Sequence, residues 1–298
     1  MSKNIEIEAG FFGKQDNSKG RSTAWSSIPF FQQQIGKHSN LPMLIHPLLP
    51  PNKKLKALTL ACGDMTGEYQ FLRNLGVASI DAYDVSPGQR EKFFRRMMGK
   101  LDLEVEYHIE DVNIIQLEEN HYDIVYVQQA YHHFEALEHI SAEINKSLTN
   151  TGIFVLIDYI GKNFLQRTET QKRVCQYIWD RLPEKLRVDL HGKVRERIQI
   201  PEIKNLSPFE AIRSEDILDT LSSSFKSEHQ FLYGAILFPL INGFAQNFTD
   251  SEEDLKLLQQ LWDLDRLLIE TQLVEPNFIR AVFSKKPIKP KFLWRSRT

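Results

Sequence analysis

The regular alternation of short apolar runs with helical patterns between residues 55 and 160 is the feature that most constrains the fold of this chain. Helical spacing occurs at 67–74, 87–99 and 136–149. The apolar runs between them, which we expect to be strands, are 55–61, 78–84, 103–109, 122–127 and 152–159. Strands and helices that alternate in this way are typical of βαβ units. The sequence therefore predicts an α/β, Rossmann-like fold, with a mostly parallel sheet and helices on both faces.

The rest of the chain adds two predicted strands, 226–232 and 278–283, to give a seven-stranded sheet. Helices are expected at 164–182, where Pro183 ends the helix, at 214–221 with Ser214 as its cap, and at 252–273. The expected organisation is an N-terminal lid of short helices and substrate segment at 1–54, a cofactor-binding core at 55–160, and the remaining core strands with helical substrate-binding insertions at 161–298.

Composition and charge disfavour several classes of protein. The 298 residues carry a formal net charge of −2, which provides no broad cationic field for a nucleic acid. Cys62 and Cys175 lack the spacing of a zinc site, and two cysteines suit a reducing compartment. The N-terminus lacks the order of a signal peptide, and Pro239 and several polar residues interrupt the apolar stretch 231–248. We expect a cytoplasmic protein with no membrane span and no nucleic-acid partner.

A turn of small residues follows the first predicted strand. The sequence LTLACGDMTG at 58–67 leads from the strand through Ala61, Cys62 and Gly63 into a helix. In open α/β sheets a ligand lies at the carboxyl ends of the strands, where small residues let backbone amides approach it. We interpret the turn as a ligand-binding loop, and an ordinary turn between strand and helix is the alternative.

Acidic turns end the next two strands. Asp84 and Val85 follow the first turn by about 20 residues, where a carboxylate can accept hydrogen bonds from ribose or can cap the next helix. Asp111 and Val112, in the sequence EDVN at 110–113, could supply an acceptor for an adenine amine. These turns predict a nucleotide site on one edge of the sheet. The chain has no Gly-x-x-x-x-Gly-Lys pattern, which indicates a nucleotide without a polyphosphate.

These motifs resemble those of class I S-adenosylmethionine-dependent methyltransferases over residues 55–160, and more loosely to 283. The matching stretches are LACGD (60–64), AYDVS (82–86), EDVN (110–113), YDIVYVQQAYHHF (122–134) and LTNTGIFV (148–155). The resemblance implies that the backbone of Ala61 and Gly63 cradles the methionine part of S-adenosylmethionine. This chain departs from the family at Thr59, where an acid is common, and at Ala61 and Met65, where glycines are common.

The resemblance also implies the remaining contacts to the cofactor. Asp84 would hold the ribose, and Asp111 and Val112 would hold the adenine. Gln128 would line the pocket at the end of the fourth strand.

Two adjacent histidines, His132 and His133, follow that strand near the expected position of the transferring methyl group. A histidine with a pKa near neutrality can take a proton from an acceptor as it is methylated. The alternative is that both belong to the loop and helix start. Methyl transfer also needs little help, because the sulfonium is already activated and alignment supplies much of the acceleration.

Polar residues after the fifth strand are further candidates. Asp158 and Tyr159 would lie beside the cleft as catalytic residues, and Gln166, Glu210 and Arg213 would bind the acceptor. The stretches 158–166 and 208–214, which contain these residues, are similar to a bacterial branch of the family that contains natural-product and glycan methyltransferases. A local ion pair between Glu210 and Arg213 is the alternative.

Aromatic and apolar residues outside the core could form the acceptor pocket. Trp25 and the stretch 231–248 are either buried core or pocket walls. The insertion 234–275 lies where substrate specificity commonly varies within a fold. The alternative is that this insertion forms a homodimer interface.

The sequence thus predicts methyl transfer from S-adenosylmethionine, without a metal, to an oxygen or a nitrogen of a small or medium-sized acceptor. The acceptor would be a natural product, a glycan or a modified peptide. A binding or scaffold protein that keeps the fold without turnover is one alternative. A nicotinamide-dependent oxidoreductase is another, disfavoured because the chain has no Gly-x-Gly-x-x-Gly.

Overall fold

The computed structural model describes residues 3–13 and 24–286. Within them, seven strands form one sheet in the order β3-β2-β1-β4-β5-β7-β6. The strands are β1 (Leu55–Leu60), β2 (Val77–Asp84), β3 (Glu104–Ile109), β4 (Tyr122–Gln128), β5 (Leu148–Tyr159), β6 (Phe225–Tyr233) and β7 (Phe278–Lys285). The first five strands pair in parallel, and β7 lies antiparallel between β5 and β6. The predicted Rossmann-like, mostly parallel sheet is confirmed.

Helices connect the strands and cover both faces of the sheet. The α-helices of the described residues are α1 (Lys3–Gly13), α2 (Pro29–His38), α3 (Leu41–Ile45), α4 (Thr66–Asn74), α5 (Pro87–Met97), α6 (Leu137–Ser147), α7 (Glu169–Trp179), α8 (Ile217–Ser224), α9 (Leu237–Ile241) and α10 (Glu252–Glu270). The predicted short helices of the N-terminal segment are present, except that residues 14–23 lie outside the described part of the chain.

Two helix starts differ from the prediction. Helix α7 begins later than expected, because Phe164 and Leu165 have positive φ values of 54° and 55°, which a right-handed helix cannot include. Thr168 caps α7, and its side chain accepts the N–H of Gln171 at 3.1 Å. The prediction that Ser214 caps a helix is wrong, because its hydroxyl donates to the Gly161 carbonyl at 2.7 Å and α8 begins three residues later.

The central strand β4 is buried on both faces, as expected of a parallel strand covered by helices. Its alternate residues belong to different hydrophobic clusters. Val125 packs with Leu58 and Phe154 on one face, and Ile124 packs with Ala57 and Val155 on the other. The register of β1, β4 and β5 therefore aligns their carboxyl ends at one edge of the sheet.

The apolar stretch 231–248 is buried in a third cluster. It contributes Phe231, Leu240 and Phe244, which pack with Trp179 and Trp262 under the insertion. In the described part of the chain, no helix is both long and apolar enough to cross a membrane.

Candidate active site

The loop after β1 turns through left-handed backbone conformations. Ala61 has φ 47°, Gly63 has φ 53°, and Met65, which precedes α4, has φ 33°. A residue other than glycine pays roughly 1–2 kcal/mol for such a conformation. Ala61 and Met65 are the positions where the family commonly has glycine. A Cβ added at Gly63 would meet no protein atom within 4 Å, so the space beside this bend is open.

Asp84 fastens this bend to the end of β2. Its Oδ2 accepts the N–H of Gly63 at 2.8 Å, and its Oδ1 accepts the N–H of Ser86 at 2.8 Å. Burial raises the pKa of Asp84, and the two backbone donors oppose that shift. The predicted acid and the predicted bend therefore lie in direct contact.

The turn after β3 is held by side-chain amide and carboxylate groups. Asp111 Oδ1 accepts the backbone N–H of Asn113 at 2.9 Å. The Asn113 carbonyl oxygen in turn accepts the N–H groups of Glu135 and Ala136, at 2.9 and 3.0 Å. This chain of hydrogen bonds fixes the third turn against the start of α6.

These turns surround a cavity of about 310 Å³, which we call the acidic cavity. Of the residues predicted to bind cofactor, all line it: Ala61, Cys62, Gly63, Asp84, Val85, Asp111, Val112 and Gln128. The described carboxylates around it are Glu8, Asp64, Glu68, Asp84 and Asp111. Their negative charge favours a ligand that carries positive charge and hydroxyl groups.

Helix α1 covers the acidic cavity, and the sequence does not predict its individual contacts. Ile5, Glu8 and Ala9 line the cavity. The Ser86 hydroxyl donates to the Ala9 carbonyl at 3.3 Å, and His133 Nδ1 lies 3.0 Å from Glu8 Oε1. The N-terminal helix thus contacts residues that follow both β2 and β4.

Glu68 is a second residue that sequence reasoning missed. It lies in the first turn of α4 and lines the acidic cavity. Burial, together with the nearby carboxylates of Asp64 and Asp84, raises its pKa to about 7 against a hydrogen bond from its own backbone.

His132 and Asp158 form a buried pair behind the cavity. His132 Nδ1 lies 2.5 Å from Asp158 Oδ1, and His132 Nε2 lies 3.4 Å from Glu210 Oε1. Burial lowers the pKa of His132, but the charges and hydrogen bonds of these two carboxylates outweigh it and raise the pKa to about 10. A raised pKa disfavours acceptance of a proton, so His132 is a weaker candidate for the base than His133.

Asp158 also bonds to backbone groups. Its carboxylate accepts the backbone N–H groups of Ala130 and Tyr131 at 3.0 and 2.6 Å, and that of Tyr159 at 2.7 Å. It lines neither cavity among the described residues. The observed contacts of Asp158 thus support the loop after β4, and its catalytic role stays a prediction.

His133, in contrast, lines the acidic cavity. Besides Glu8, it faces Glu210, whose Oε2 lies 3.9 Å from His133 Nε2. Ligand atoms of His132, His133 and Glu210 lie within 4.8 Å of one another, a spacing that could hold a metal ion. Of the four predicted catalytic residues, His133 is the one that the structure places beside the cofactor loop.

The other predicted residues lie away from this cavity. Tyr159 is buried, its hydroxyl donates to the Lys162 carbonyl at 3.0 Å, and burial raises its pKa to about 12. Gln166 donates to the carbonyls of Phe164 and Pro201, at 3.0 and 3.2 Å. Neither side chain lines the acidic cavity or the cavity next to it, so the structure does not bring the predicted catalytic residue Tyr159 or the predicted acceptor-binding residue Gln166 to them.

Arg213, another predicted acceptor-binding residue, also lies away from both cavities. Its guanidinium forms two hydrogen bonds to Glu138, at 2.7 and 2.8 Å, and one to Asp216 at 2.9 Å. It is therefore engaged at the protein surface. The alternative ion pair between Arg213 and Glu210 is wrong as well, because Glu210 faces the histidines instead.

A second cavity of about 780 Å³, which we call the aromatic cavity, adjoins the first. Gln128 and Gln129 line both. Gln129 has φ 51°, and Gln128 accepts the Tyr126 hydroxyl at 2.5 Å. Trp25 lines the aromatic cavity, where the sequence placed it as a pocket wall or core residue. The other aromatic residues of this cavity are Phe71, Tyr126, Tyr233, Phe238 and Phe278.

Comparisons with known proteins agree with this geometry. Residues 58–156 match the family model described as a methyltransferase domain. The geranyl diphosphate C-methyltransferase of Streptomyces coelicolor A3(2), solved with Mg²⁺, geranyl diphosphate and S-adenosyl-L-homocysteine, superimposes with a TM-score of 0.52 at 9% identity, over 96% of this chain and 99% of that chain. The [4+2]-cyclase SpnF superimposes with a TM-score of 0.51 at 11% identity, over 96% of this chain and 93% of that chain. No curated protein gave a significant sequence match.

The matched domain and the sheet define a class I methyltransferase fold with its ligand loop after β1. The match over residues 58–156 identifies a methyltransferase domain within this chain, in agreement with the resemblance of its motifs, which implies S-adenosylmethionine as the cofactor. The acidic cavity fits that group, because open space adjoins Gly63 and the carboxylates that line the cavity would complement a sulfonium, an amine and the hydroxyls of a ribose.

Proposed function

We propose that this protein methylates an oxygen atom of a small or medium-sized acceptor, such as a natural product, a glycan or a modified peptide. The observation that carries the proposal is the shared wall of the two cavities at Gln128 and Gln129. A ligand in the acidic cavity and one in the aromatic cavity would meet there. Alignment of two bound reactants is the main requirement of methyl transfer.

The eight predicted cofactor residues would hold S-adenosylmethionine in the acidic cavity. When bound, this cofactor supplies a methyl group already activated by a sulfonium. Asp84 keeps the bend at Gly63 in place and leaves carboxylate lone pairs for a hydroxyl donor. Helix α1 covers one side of the same space.

His133 would take the proton that an acceptor hydroxyl loses on methylation. Its Nδ1 lies 3.0 Å from Glu8 Oε1, so this carboxylate faces one side of the ring. Oxygen is favoured over an amine because the described lining of the aromatic cavity has no carboxylate to attract an ammonium.

The test is methyl transfer from labelled S-adenosylmethionine to a panel of sugars, phenols, hydroxyl-bearing peptides and amines, with products identified by mass. We expect a hydroxyl acceptor to be labelled and the amines not to be. Labelling of amines alone would overturn the choice of oxygen.

Calorimetry with S-adenosylhomocysteine provides the accompanying control. Absence of heat at high protein concentration would contradict cofactor binding itself. Cofactor binding without transfer to any member of the panel would favour the inactive scaffold. The [4+2]-cyclase of the same fold shows that this sheet also occurs in a protein named for another reaction.

A further inference from the structure

The aromatic cavity has one formally charged residue in its described lining, and that residue is Arg280. The rest of the lining consists of aromatic, aliphatic, amide and hydroxyl side chains. The acidic cavity has the opposite character, with five carboxylates. The negatively charged carboxylates therefore lie on one side of the wall at Gln128 and Gln129, and the positively charged Arg280 lies on the other.

Arg280 reaches this cavity because of its register in β7. It pairs with Ile157 of β5 and Phe231 of β6. Side chains alternate between the faces of a strand, so Phe278, Arg280 and Val282 share one face. Val282 is buried in the core, whereas Phe278 and Arg280 line the cavity. The face thus changes from core to cavity at the arginine.

The guanidinium of Arg280 has no counter-ion among the described residues. No carboxylate of the described residues lies within salt-bridge distance of it, and its buried Nε has no hydrogen-bond partner there. Arg73 and Arg213, by comparison, each pair with a carboxylate. A buried donor without a partner is costly, and a guanidinium binds carboxylate and phosphate groups through paired hydrogen bonds.

We infer that the acceptor is an amphipathic acid, an inference that rests on the proposed function. Its carboxylate or phosphate binds Arg280, and its apolar or aromatic body packs against Trp25, Tyr233 and Phe278. The oxygen to be methylated then points to the wall at Gln128 and Gln129. The arginine would select the acid group of such a molecule, and the surrounding aromatic side chains would select its apolar body.

The experiment uses the full chain saturated with S-adenosylhomocysteine and three matched probes. These are 3-phenylpropanoate, 3-phenylpropyl phosphate and the neutral 3-phenylpropanamide, each titrated by calorimetry. We expect at least one of the acids to bind tenfold or more tightly than the amide. The two acid arms show whether the site prefers a carboxylate or a phosphate.

The variant Arg280→Gln should remove this preference, and Arg280→Lys should retain part of it, because lysine keeps the charge but not the paired donors. Arg266→Gln is the matched control, since Arg266 stands over the Phe231 ring at 4.9 Å and does not line the cavity. Affinity for S-adenosylhomocysteine should stay the same in all three variants.

The inference is overturned if the amide binds as tightly as both acids, if no acid binds, or if Arg280→Gln keeps the preference. The comparison of acids with the amide needs no variant, so it stands even if Arg280→Gln does not fold. Loss of S-adenosylhomocysteine binding by the natural chain would instead contradict the proposed function. The two failures are therefore distinguishable.

Discussion

Asp158 Oδ1 lies 2.5 Å from His132 Nδ1, so the end of β5 holds the loop after β4 through a buried ion pair. The raised pKa of His132, about 10, keeps its imidazole charged at neutral pH. Because the folded pKa exceeds the ordinary value of 6.5, the stabilisation is fully present below pH 6.5 and is lost as pH rises through 10.

Replacement of His132 by Gln should therefore destabilise the fold most below pH 6.5, by about 3–5 kcal/mol for a broken buried pair. Urea unfolding at pH 6 and at pH 10 measures this difference. An imidazole that titrates near pH 6.5 by NMR would contradict the assignment. His139→Gln, at a half-buried histidine of α6 with no carboxylate within salt-bridge distance among the described residues, serves as the control for loss of a histidine.

Asp84→Ala should weaken S-adenosylhomocysteine binding roughly 10- to 100-fold, the cost of a lost hydrogen bond to a charged group. The change also releases the bend at Gly63. Asp81→Ala is the matched control, because Asp81 is a buried acid of the same strand that contacts Tyr122 and Lys56 away from the cavity. Calorimetry should show an unchanged affinity for the control. Equal loss in both variants would argue for a general effect on the fold.

Glu68→Gln should stabilise the cofactor-free protein at pH 8 and weaken the binding of the cofactor. The folded pKa of Glu68, about 7, lies above its ordinary value of 4.5, so its favourable contribution is present below pH 4.5 and lost as pH rises through 7. At about 1.4 kcal/mol per pKa unit, the gain at pH 8 is about 3 kcal/mol. Urea unfolding at pH 4.5 and 8 tests this, and an identical pH dependence of the two proteins would refute it.

Glycine substitutions at two neighbouring residues should have opposite effects. Ala61→Gly relieves the strain of a left-handed backbone conformation and removes only a methyl group. It should therefore stabilise the fold by about 0.5–1 kcal/mol. Met65→Gly relieves the same kind of strain but removes a fully buried side chain, at a cost of about 2–5 kcal/mol. Thermal unfolding compares them. A loss of stability in both would show that the loop is not strained.

His133→Gln should lower the rate of methyl transfer roughly 100- to 10,000-fold if this residue is the general base. The alkaline rise in rate that a histidine base produces should disappear in the variant. Affinity for S-adenosylhomocysteine should change much less than the rate. A variant that keeps the full rate and pH profile would assign methyl transfer to alignment alone.

The fold could be predicted because its signals are local. Each strand of the core is a short apolar run, and the turns at Gly63, Asp84 and Asp111 follow those runs directly in sequence. Since parallel strands end at one edge of the sheet, their common cavity follows from the topology alone. The position of the cofactor loop needed no knowledge of packing.

The roles of Asp158 and Glu8 could not be predicted in the same way. The sequence placed Asp158 at the correct strand end, but whether its carboxylate faces the cleft or the backbone of Ala130 depends on packing between strands. Glu8 reaches His133 from a helix distant in sequence. Arg280 did leave a signal, since it is the one charged residue between Phe278 and Phe283 in an otherwise apolar strand.

The position of α1 has a kinetic consequence. Its contacts with Ser86 and His133 close over the space that the cofactor must enter and the spent nucleoside must leave. We therefore expect these two contacts to open and reform in each round of catalysis. The rate of nucleoside exchange would then depend on how long α1 stays in contact with the rest of the protein. Removal of this helix should speed the exchange and also expose the reacting atoms to solvent.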